Sequence, residues 1–148
     1  MKNKKKECAQ ILLEVMPQIW RVMKEVAQKK EFSKFSVAQF RTLKFINRNN
    51  KVSLSEISKH LGPGLSSTSK LIDGLVEKKL IKRQINEKDR RYITITLTKT
   101  GKNIMERIQK ETIEHLEKSI SDLSDSQYSL IINAMEILKQ KYISKGEK

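Results

Sequence analysis

The sequence predicts a mainly α-helical protein with one small antiparallel β-hairpin. Along most of the 148 residues, apolar side chains recur at every third or fourth position, which is typical of amphipathic helices. Only residues 92–97 alternate between two faces, which indicates a half-buried strand. Residues 81–85 can pair with this strand, and the loop 86–91 is too long for a two-residue turn. The two faces of the strand are Ile93, Ile95 and Leu97 against Tyr92, Thr94 and Thr96.

The first two predicted helices precede any strand. Residues 5–29 form the first, and Pro17 should bend it because proline removes a backbone hydrogen bond. Ser36 and Gln39 have the spacing of a capping box, which begins a second helix. The apolar positions are Cys8, Ile11, Leu12, Val15, Ile19, Val22 and Val26 in the first helix, and Val37, Phe40, Leu43 and Ile46 in the second.

Two further helices are joined by a glycine-containing turn. Ser53 and Glu56 cap a short third helix, which ends at residues 62–64. A fourth helix follows over about residues 65–78. This arrangement is typical of a helix-turn-helix, and the hairpin after it would be the wing of a winged helix. The predicted core positions are Ile57 and Leu61 in the third helix, and Leu71, Ile72, Leu75 and Val76 in the fourth.

Two amphipathic helices complete the chain, one beginning at Thr98 and one capped by Ser124. Their apolar stripes need a partner surface, and a second chain is favoured because reading a palindrome requires a two-fold axis. We therefore predict a winged helix-turn-helix DNA-binding domain at residues 36–98 and helical dimerisation regions at residues 1–35 and 99–148. The stripes are Ile104, Ile108, Ile113, Leu116 and Ile120, then Leu130, Ile131, Ala134, Ile137, Leu138 and Tyr142.

The charge of the chain favours a polyanionic partner. Lys and Arg number 31 against 17 Asp and Glu, a formal net charge of +14, which indicates a polyanionic partner. With the predicted helix-turn-helix, the expected partner is double-stranded DNA. The alternative is that the lysines are only solvated helix faces. No run approaches the length of a membrane span, so we expect no membrane partner and a cytoplasmic location.

Catalytic, cofactor and metal sites are not predicted. The single cysteine excludes an internal disulfide and a cysteine-rich zinc site, and His60 and His115 lie far apart. There is no glycine-rich phosphate loop, and no His–Asp arrangement is suggested beside any serine. We therefore expect a protein that is not an enzyme.

Two groups of residues are candidates for DNA contact. Ser66, Ser67, Ser69 and Lys70 face solvent at the start of the fourth helix, where small hydroxyls and a long cation suit a major groove. The alternative is that these serines only cap the helix. In the predicted wing loop, Asp89 should hold a nearby guanidinium and so order the loop, because it would repel phosphate.

Residues 37–101 resemble the multiple antibiotic resistance regulator (MarR) family of winged helix-turn-helix transcription factors. The segments "LSSTSKLIDGLVEKKLIKR" and "DRRYITITLTKTG" carry the resemblance. Asp89-Arg90-Arg91 matches the family's Asp-x-Arg wing motif, and "LTKTG" matches its Leu-Thr-x-x-Gly. The resemblance implies a homodimeric repressor on a pseudo-palindromic operator, with Asp89 ordering the wing and Arg91 entering the minor groove. Arg90 is then expected to point toward phosphate.

The same resemblance implies release from DNA by a small aromatic effector. By position, the cleft for it would be lined by Met16, Trp20, Phe32, Phe35 and Phe45, although each could equally be ordinary core. Two alternatives stay open. The winged helix could serve protein contacts, or the protein could respond to oxidation through Cys8, whose neighbouring lysines would favour a thiolate.

Two positions depart from the family pattern. Lys79 stands where the family usually has glycine, at the end of the fourth helix, and a left-handed backbone there would be strained. Gly74 lies inside the same helix, where glycine costs about 1 kcal/mol relative to alanine. Close packing against another helix would explain it.

Overall fold

The computed structural model describes residues 3–29, 32–62 and 64–143. Within them it contains six helices and three short strands, which confirms the predicted fold class. The helices are α1 (Lys4–Ala27), α2 (Val37–Asn49), α3 (Leu54–Leu61), α4 (Leu65–Glu77), α5 (Lys99–Ser119) and α6 (Asp125–Tyr142).

The strands form one antiparallel sheet. They are β1 (Val52–Ser53), β2 (Ile81–Ile85) and β3 (Ile93–Leu97), in the order β1-β3-β2. Ile81 pairs with Leu97 and Ile85 with Ile93, so the predicted hairpin is confirmed. Strand β1 was not predicted, because two residues are too few to show an alternating pattern.

The core lies among α2, α3, α4 and the sheet. Leu43, Ile46, Ile57, Ile72 and Leu75 are completely buried, as predicted. They pack with residues from both strands of the hairpin, including Ile81, Ile95 and Leu97.

The prediction that Val37 faces the core is wrong. Its side chain is 72% exposed. At about 100° per residue, Val37 lies on the opposite side of α2 from the buried Ile46. As the first residue of α2, it follows the Ser36 cap and remains in solvent.

The helix beginnings agree with the sequence prediction. Ser36, Ser53 and Ser124 each accept a hydrogen bond from the backbone N–H three residues later, and each completes a capping box. These bonds satisfy donors that a helix terminus otherwise leaves unpaired. Pro17 lies within an uninterrupted α1.

The junction between α4, the hairpin and α5 is tightly bonded. The backbone N–H of Leu80 donates to Leu75 O and that of Lys79 to Val76 O, which is a Schellman motif. Lys79 has φ 59°, so its backbone is left-handed, which is the condition under which a lysine at this position is strained. The hydroxyl of Thr98 donates to Lys79 O at 2.6 Å and accepts from the backbone N–H of Gly101 at 3.0 Å.

Gly101 has a steric role at this junction. A Cβ added to it would lie 2.0 Å from Leu80 O, a distance that no real contact allows. Gly74 differs, because its Cβ would lie 3.5 Å from Gln39 Nε2, which is an ordinary contact. The packing explanation for Gly74 therefore fails.

The chain divides into two compact units, Met1–His115 and Leu116–Lys148. In the first unit, Lys29 bonds Glu111 and Glu25 bonds His115, each at 2.8 Å, which joins α1 to α5. In the second unit no residue of α6 is buried. Among the described residues, no helix is long and apolar enough to cross a membrane.

Candidate nucleic-acid interface

Helix α4 presents most of its predicted contact residues to solvent. Ser66, Ser67 and Lys70 are exposed, and Ser69 is half-buried. Thr68, between them, is completely buried, and its hydroxyl donates to Gly64 O at 2.7 Å. The first turn of α4 therefore has one hydroxyl facing the core and the others available to a ligand.

The turn before α4 depends on backbone conformations that favour glycine. Gly62 has φ 90° and ends α3, and Gly64 has φ 85° and precedes α4. Space is not the constraint, because nothing lies within 4 Å of an added Cβ at either position. Side chains rarely adopt these φ values, so the backbone itself requires glycine here.

An ion pair between Asp73 and Arg83 joins α4 to the hairpin. Asp73 lies one turn beyond Ser69 and Lys70 on the exposed stripe of α4. Arg83 lies on β2 opposite Ile95, on the face of the hairpin that packs on the core. This pair was not predicted from the sequence. The only signal was a cation at an inward position of the strand.

The loop at the end of the hairpin is closed by its own backbone. The N–H of Asn86 donates to Tyr92 O, and that of Tyr92 donates to Asp89 O, both at 3.0 Å. The side chain of Asn86 accepts from the backbone N–H of Lys88 at 2.9 Å. This loop therefore has a defined shape, although it lies beyond the strand pairing.

Asp89 and Arg91 form a bidentate pair within the loop. Asp89 Oδ1 accepts from the Arg91 backbone N–H at 3.1 Å and from Nε at 3.0 Å, and Oδ2 accepts from an Nη at 2.9 Å. These bonds hold the pKa of Asp89 below its usual value and raise the pKa of Arg91. The guanidinium expected beside Asp89 is thus that of Arg91, whose side chain remains 87% exposed. Arg90 is exposed beside it.

The residues predicted to line a ligand cleft fall into two groups. Phe32 is buried in the core, and Phe35 and Phe45 are half-buried against it. Met16 and Trp20 are exposed on α1, to 48% and 55%. A surface cavity of about 460 Å³ lies near the end of α1 and along α5, lined by Lys29, Arg107, Lys110, Glu111 and Glu114.

Phe35 has a contact that the sequence analysis did not predict. The ammonium group of Lys78 lies 5.3 Å from the centre of the Phe35 ring. It also donates to Lys34 O at 3.0 Å and to Gln39 Oε1 at 3.1 Å. Lys78 follows the last residue of α4, so the end of this helix is bonded to the segment that carries Phe35.

The structure also shows where the single cysteine lies and whether side chains that bind metals are grouped. Cys8 is exposed on α1. In the part of the chain that the structure describes, no three His, Cys, Asp or Glu side chains lie close enough to hold a metal ion.

Comparison with known sequences identifies relatives over the same region. The MarR family profile matches residues 33–91. The HTH-type transcriptional regulator YfiV of Bacillus subtilis (strain 168) is 28% identical over 105 residues, which cover 71% of this chain and 66% of YfiV. The HTH-type transcriptional repressor IacR of Pseudomonas putida is 28% identical over 102 residues, covering 69% and 61%. The match thus spans less than two thirds of either relative.

Solved structures share the fold over nearly the whole chain. The transcriptional regulator Tm0710 of Thermotoga maritima superposes with a TM-score of 0.78 at 24% identity, covering 97% of this chain and 99% of that one. FabT of Streptococcus pneumoniae, solved in complex with DNA, gives a TM-score of 0.68 at 22% identity, covering 92% and 95%. At this level of identity the likeness establishes the fold.

Proposed function

We propose that this chain is a winged helix-turn-helix protein of the MarR family and that it acts as a sequence-specific DNA-binding transcription regulator. One observation carries the proposal. The exposed stripe of α4 and the hairpin that carries Arg91 are joined by the Asp73–Arg83 pair. This pair links the helix proposed for the major groove to the hairpin whose loop carries the cation proposed for the minor groove. The regulator and repressor relatives, and the DNA complex of FabT, support the same function.

The DNA contacts follow from what each element presents. Ser66, Ser67, Ser69 and Lys70 read or anchor the major groove from the first turns of α4. Arg91 enters the adjacent minor groove, whose negative potential attracts a guanidinium, and Arg90 reaches phosphate. The excess of positive charge over the whole chain steers the encounter.

We propose that the regulator is a homodimer assembled through residues 1–35 and 99–148, with residues 36–98 as its DNA-binding domain. Exposed apolar side chains support this assignment, because surfaces of this kind mark association sites. On α6 they include Leu130, Ile132 and Ile137, at 65–70% exposure, and on α1 they include Ile11, Leu13, Met16 and Trp20.

As a repressor, the protein would bind a pseudo-palindromic operator and be released by a small aromatic ligand near Met16, Trp20, Phe32, Phe35 and Phe45. The contact of Lys78 with Phe35 supports this region as the site where a bound ligand would change DNA binding. A ligand that moved the Phe35 ring would disturb a cation bonded at the end of α4.

Selection of bound fragments from genomic DNA tests the function and identifies the operator. We expect two protected half-sites about one helical turn apart, roughly 34–36 Å. With half a dozen or more phosphates neutralised, affinity should fall about a thousandfold or more between about 50 and 200 mM salt. A flat salt response without selected fragments would instead favour a winged helix used for protein contacts.

A further inference from the structure

The hairpin carries an exposed apolar pair at the end remote from the core. Ile85 on β2 and Ile93 on β3 are directly opposite each other in the strand register. Their side chains are 63% and 44% exposed, whereas Ile81 and Leu97, at the other end of the same face, are buried. Two adjacent isoleucines in solvent are unfavourable, because each leaves apolar surface in contact with water.

This pair faces the same side of the molecule as α4. Side chains two residues apart on a strand share a face, so Ile85 follows Ile81 and Arg83. We define the inner face of the hairpin as residues 81, 83 and 85 of β2 with residues 93, 95 and 97 of β3. Arg83, in the middle of this face, reaches Asp73 on the exposed stripe of α4. The apolar pair therefore lies between that stripe and the loop of Arg91.

The charges around the isoleucine pair indicate what kind of partner it would contact. The hairpin and its loop carry Lys82, Arg83, Lys88, Arg90 and Arg91 against Glu87 and Asp89. A positively charged element that carries an exposed apolar pair is complementary to a surface that combines phosphates with carbon atoms. The sugar–phosphate backbone of DNA has that composition, because its deoxyribose rings are apolar between the charged groups.

Resting on the function proposed above, we propose that Ile85 and Ile93 pack against the deoxyribose rings of the DNA strand that separates the two grooves. If α4 lies in the major groove and Arg91 in the adjacent minor groove, the strand between those grooves passes over the inner face of the hairpin. The isoleucine pair is then buried on binding. This contact adds affinity and fixes how far the wing enters the minor groove, but it does not read bases.

The test uses the full-length protein and a duplex that the wild type selects from a randomised pool. Ile85→Thr combined with Ile93→Thr keeps β-branched side chains, which favour strands, but removes apolar surface. We expect affinity to fall about ten-fold, or about 1.4 kcal/mol. The slope of log affinity against log salt concentration should not change, because no charge is removed.

Two control variants separate this effect from general damage or lost charge. Tyr92→Thr removes an equally exposed side chain, at 64%, from the other face of the hairpin and should leave affinity unchanged. Arg90→Ala removes a phosphate contact and should reduce the salt slope by about one.

Hydroxyl-radical footprinting gives a direct readout, because these radicals attack deoxyribose. The double variant should lose protection of the sugars between the grooves and keep the minor-groove protection made by Arg91. Unchanged affinity, or loss of both protections together, would overturn the proposal, since the pair would then be inert or would only stiffen the hairpin. A wild-type protein that selects no duplex would instead overturn the proposed function itself.

Discussion

Asp89 and Arg91 hold each other at the end of the hairpin through three hydrogen bonds of 2.9–3.1 Å. One of these bonds comes from the Arg91 backbone, so the carboxylate fixes the chain as well as the side chain. A guanidinium restrained in this way loses less conformational freedom on entering a groove than a free arginine would.

Asp89→Ala should therefore weaken DNA binding although it makes the wing more positive. Simple electrostatics predicts the opposite sign, because Asp89 repels phosphate. Arg91→Ala should weaken binding by more than Lys88→Ala, which removes an equal charge from the same loop. The measurement is the DNA affinity of the three variants and the wild type at one salt concentration. Tighter binding by Asp89→Ala would contradict the role of Asp89 in ordering the loop.

The pH dependence of this contact follows from the direction of its pKa shift. Because the folded pKa of Asp89 lies below its usual value, the pair is fully present above the unfolded pKa. It is lost only as pH falls through the lowered value. Between about pH 6 and 8, DNA affinity should thus be independent of Asp89 titration.

Lys79→Gly should stabilise the protein, since it relieves a side chain at φ 59°. A gain of about 1 kcal/mol is expected, which corresponds to a rise in Tm of a few degrees for a chain of this size. Lys79→Ala is the matched control, because it removes the same charge but keeps a Cβ. Equal Tm values for the two variants would show that the backbone at residue 79 is relaxed.

Gly101→Ala and Gly74→Ala should change stability in opposite directions. The first places a Cβ against Leu80 O and should cost about 3 kcal/mol or more. The second meets only an ordinary contact and should gain about 1 kcal/mol from helix propensity. Denaturant midpoints of the two variants measure both effects. A neutral Gly101→Ala would contradict the tight junction described above.

Leu130→Asp or Ile137→Asp should weaken dimerisation and operator affinity together. Both side chains are about 70% exposed on α6, so the single chain loses little when they change. Sedimentation should give about twice the 17.2 kDa chain mass for the wild type and the single mass for the variants. Ser129→Asp adds the same charge to an exposed position of α6 outside the predicted apolar stripe and serves as the control.

Cys8→Ser should leave DNA binding unchanged in reducing conditions and after peroxide treatment. The thiol is exposed on α1 of the single chain, and no proposed DNA-contact residue lies on that helix. Gel-shift titrations of wild type and variant measure this directly. Loss of binding by oxidised wild type alone would make the protein a redox-responsive regulator.

The features predicted from sequence were those fixed by neighbours along the chain. A capping box needs only residues three apart, so Ser36, Ser53 and Ser124 were recognisable without a fold. The hairpin was recognisable because alternation over β3 has no helical explanation. The missing glycine at Lys79 was visible in the sequence, but only the structure shows that the backbone there is left-handed.

The features that escaped prediction depend on how elements meet in space. The Asp73–Arg83 pair joins α4 to β2 across a turn whose geometry the sequence does not specify. Strand β1 exists only because β3 lies beside Val52. The steric need for Gly101 likewise arises from the carbonyl of Leu80, which the hairpin brings back to the start of α5.

The bonding of Thr98 to Lys79 and Leu80 has a kinetic consequence for the wing. Two hydrogen bonds close the base of the hairpin, from the Thr98 hydroxyl to Lys79 O at 2.6 Å and from the Thr98 backbone N–H to Leu80 O at 3.0 Å, so we expect opening to begin at the loop. Amide exchange with heavy water would then be slowest at Thr98 and Leu80 and fastest around Asn86 and Tyr92. A bound duplex should slow exchange in both groups, because it would cover the loop and because binding stabilises the folded state against the global unfolding through which the first group exchanges. The wing would thus meet DNA with a base that stays closed and a loop that opens more readily.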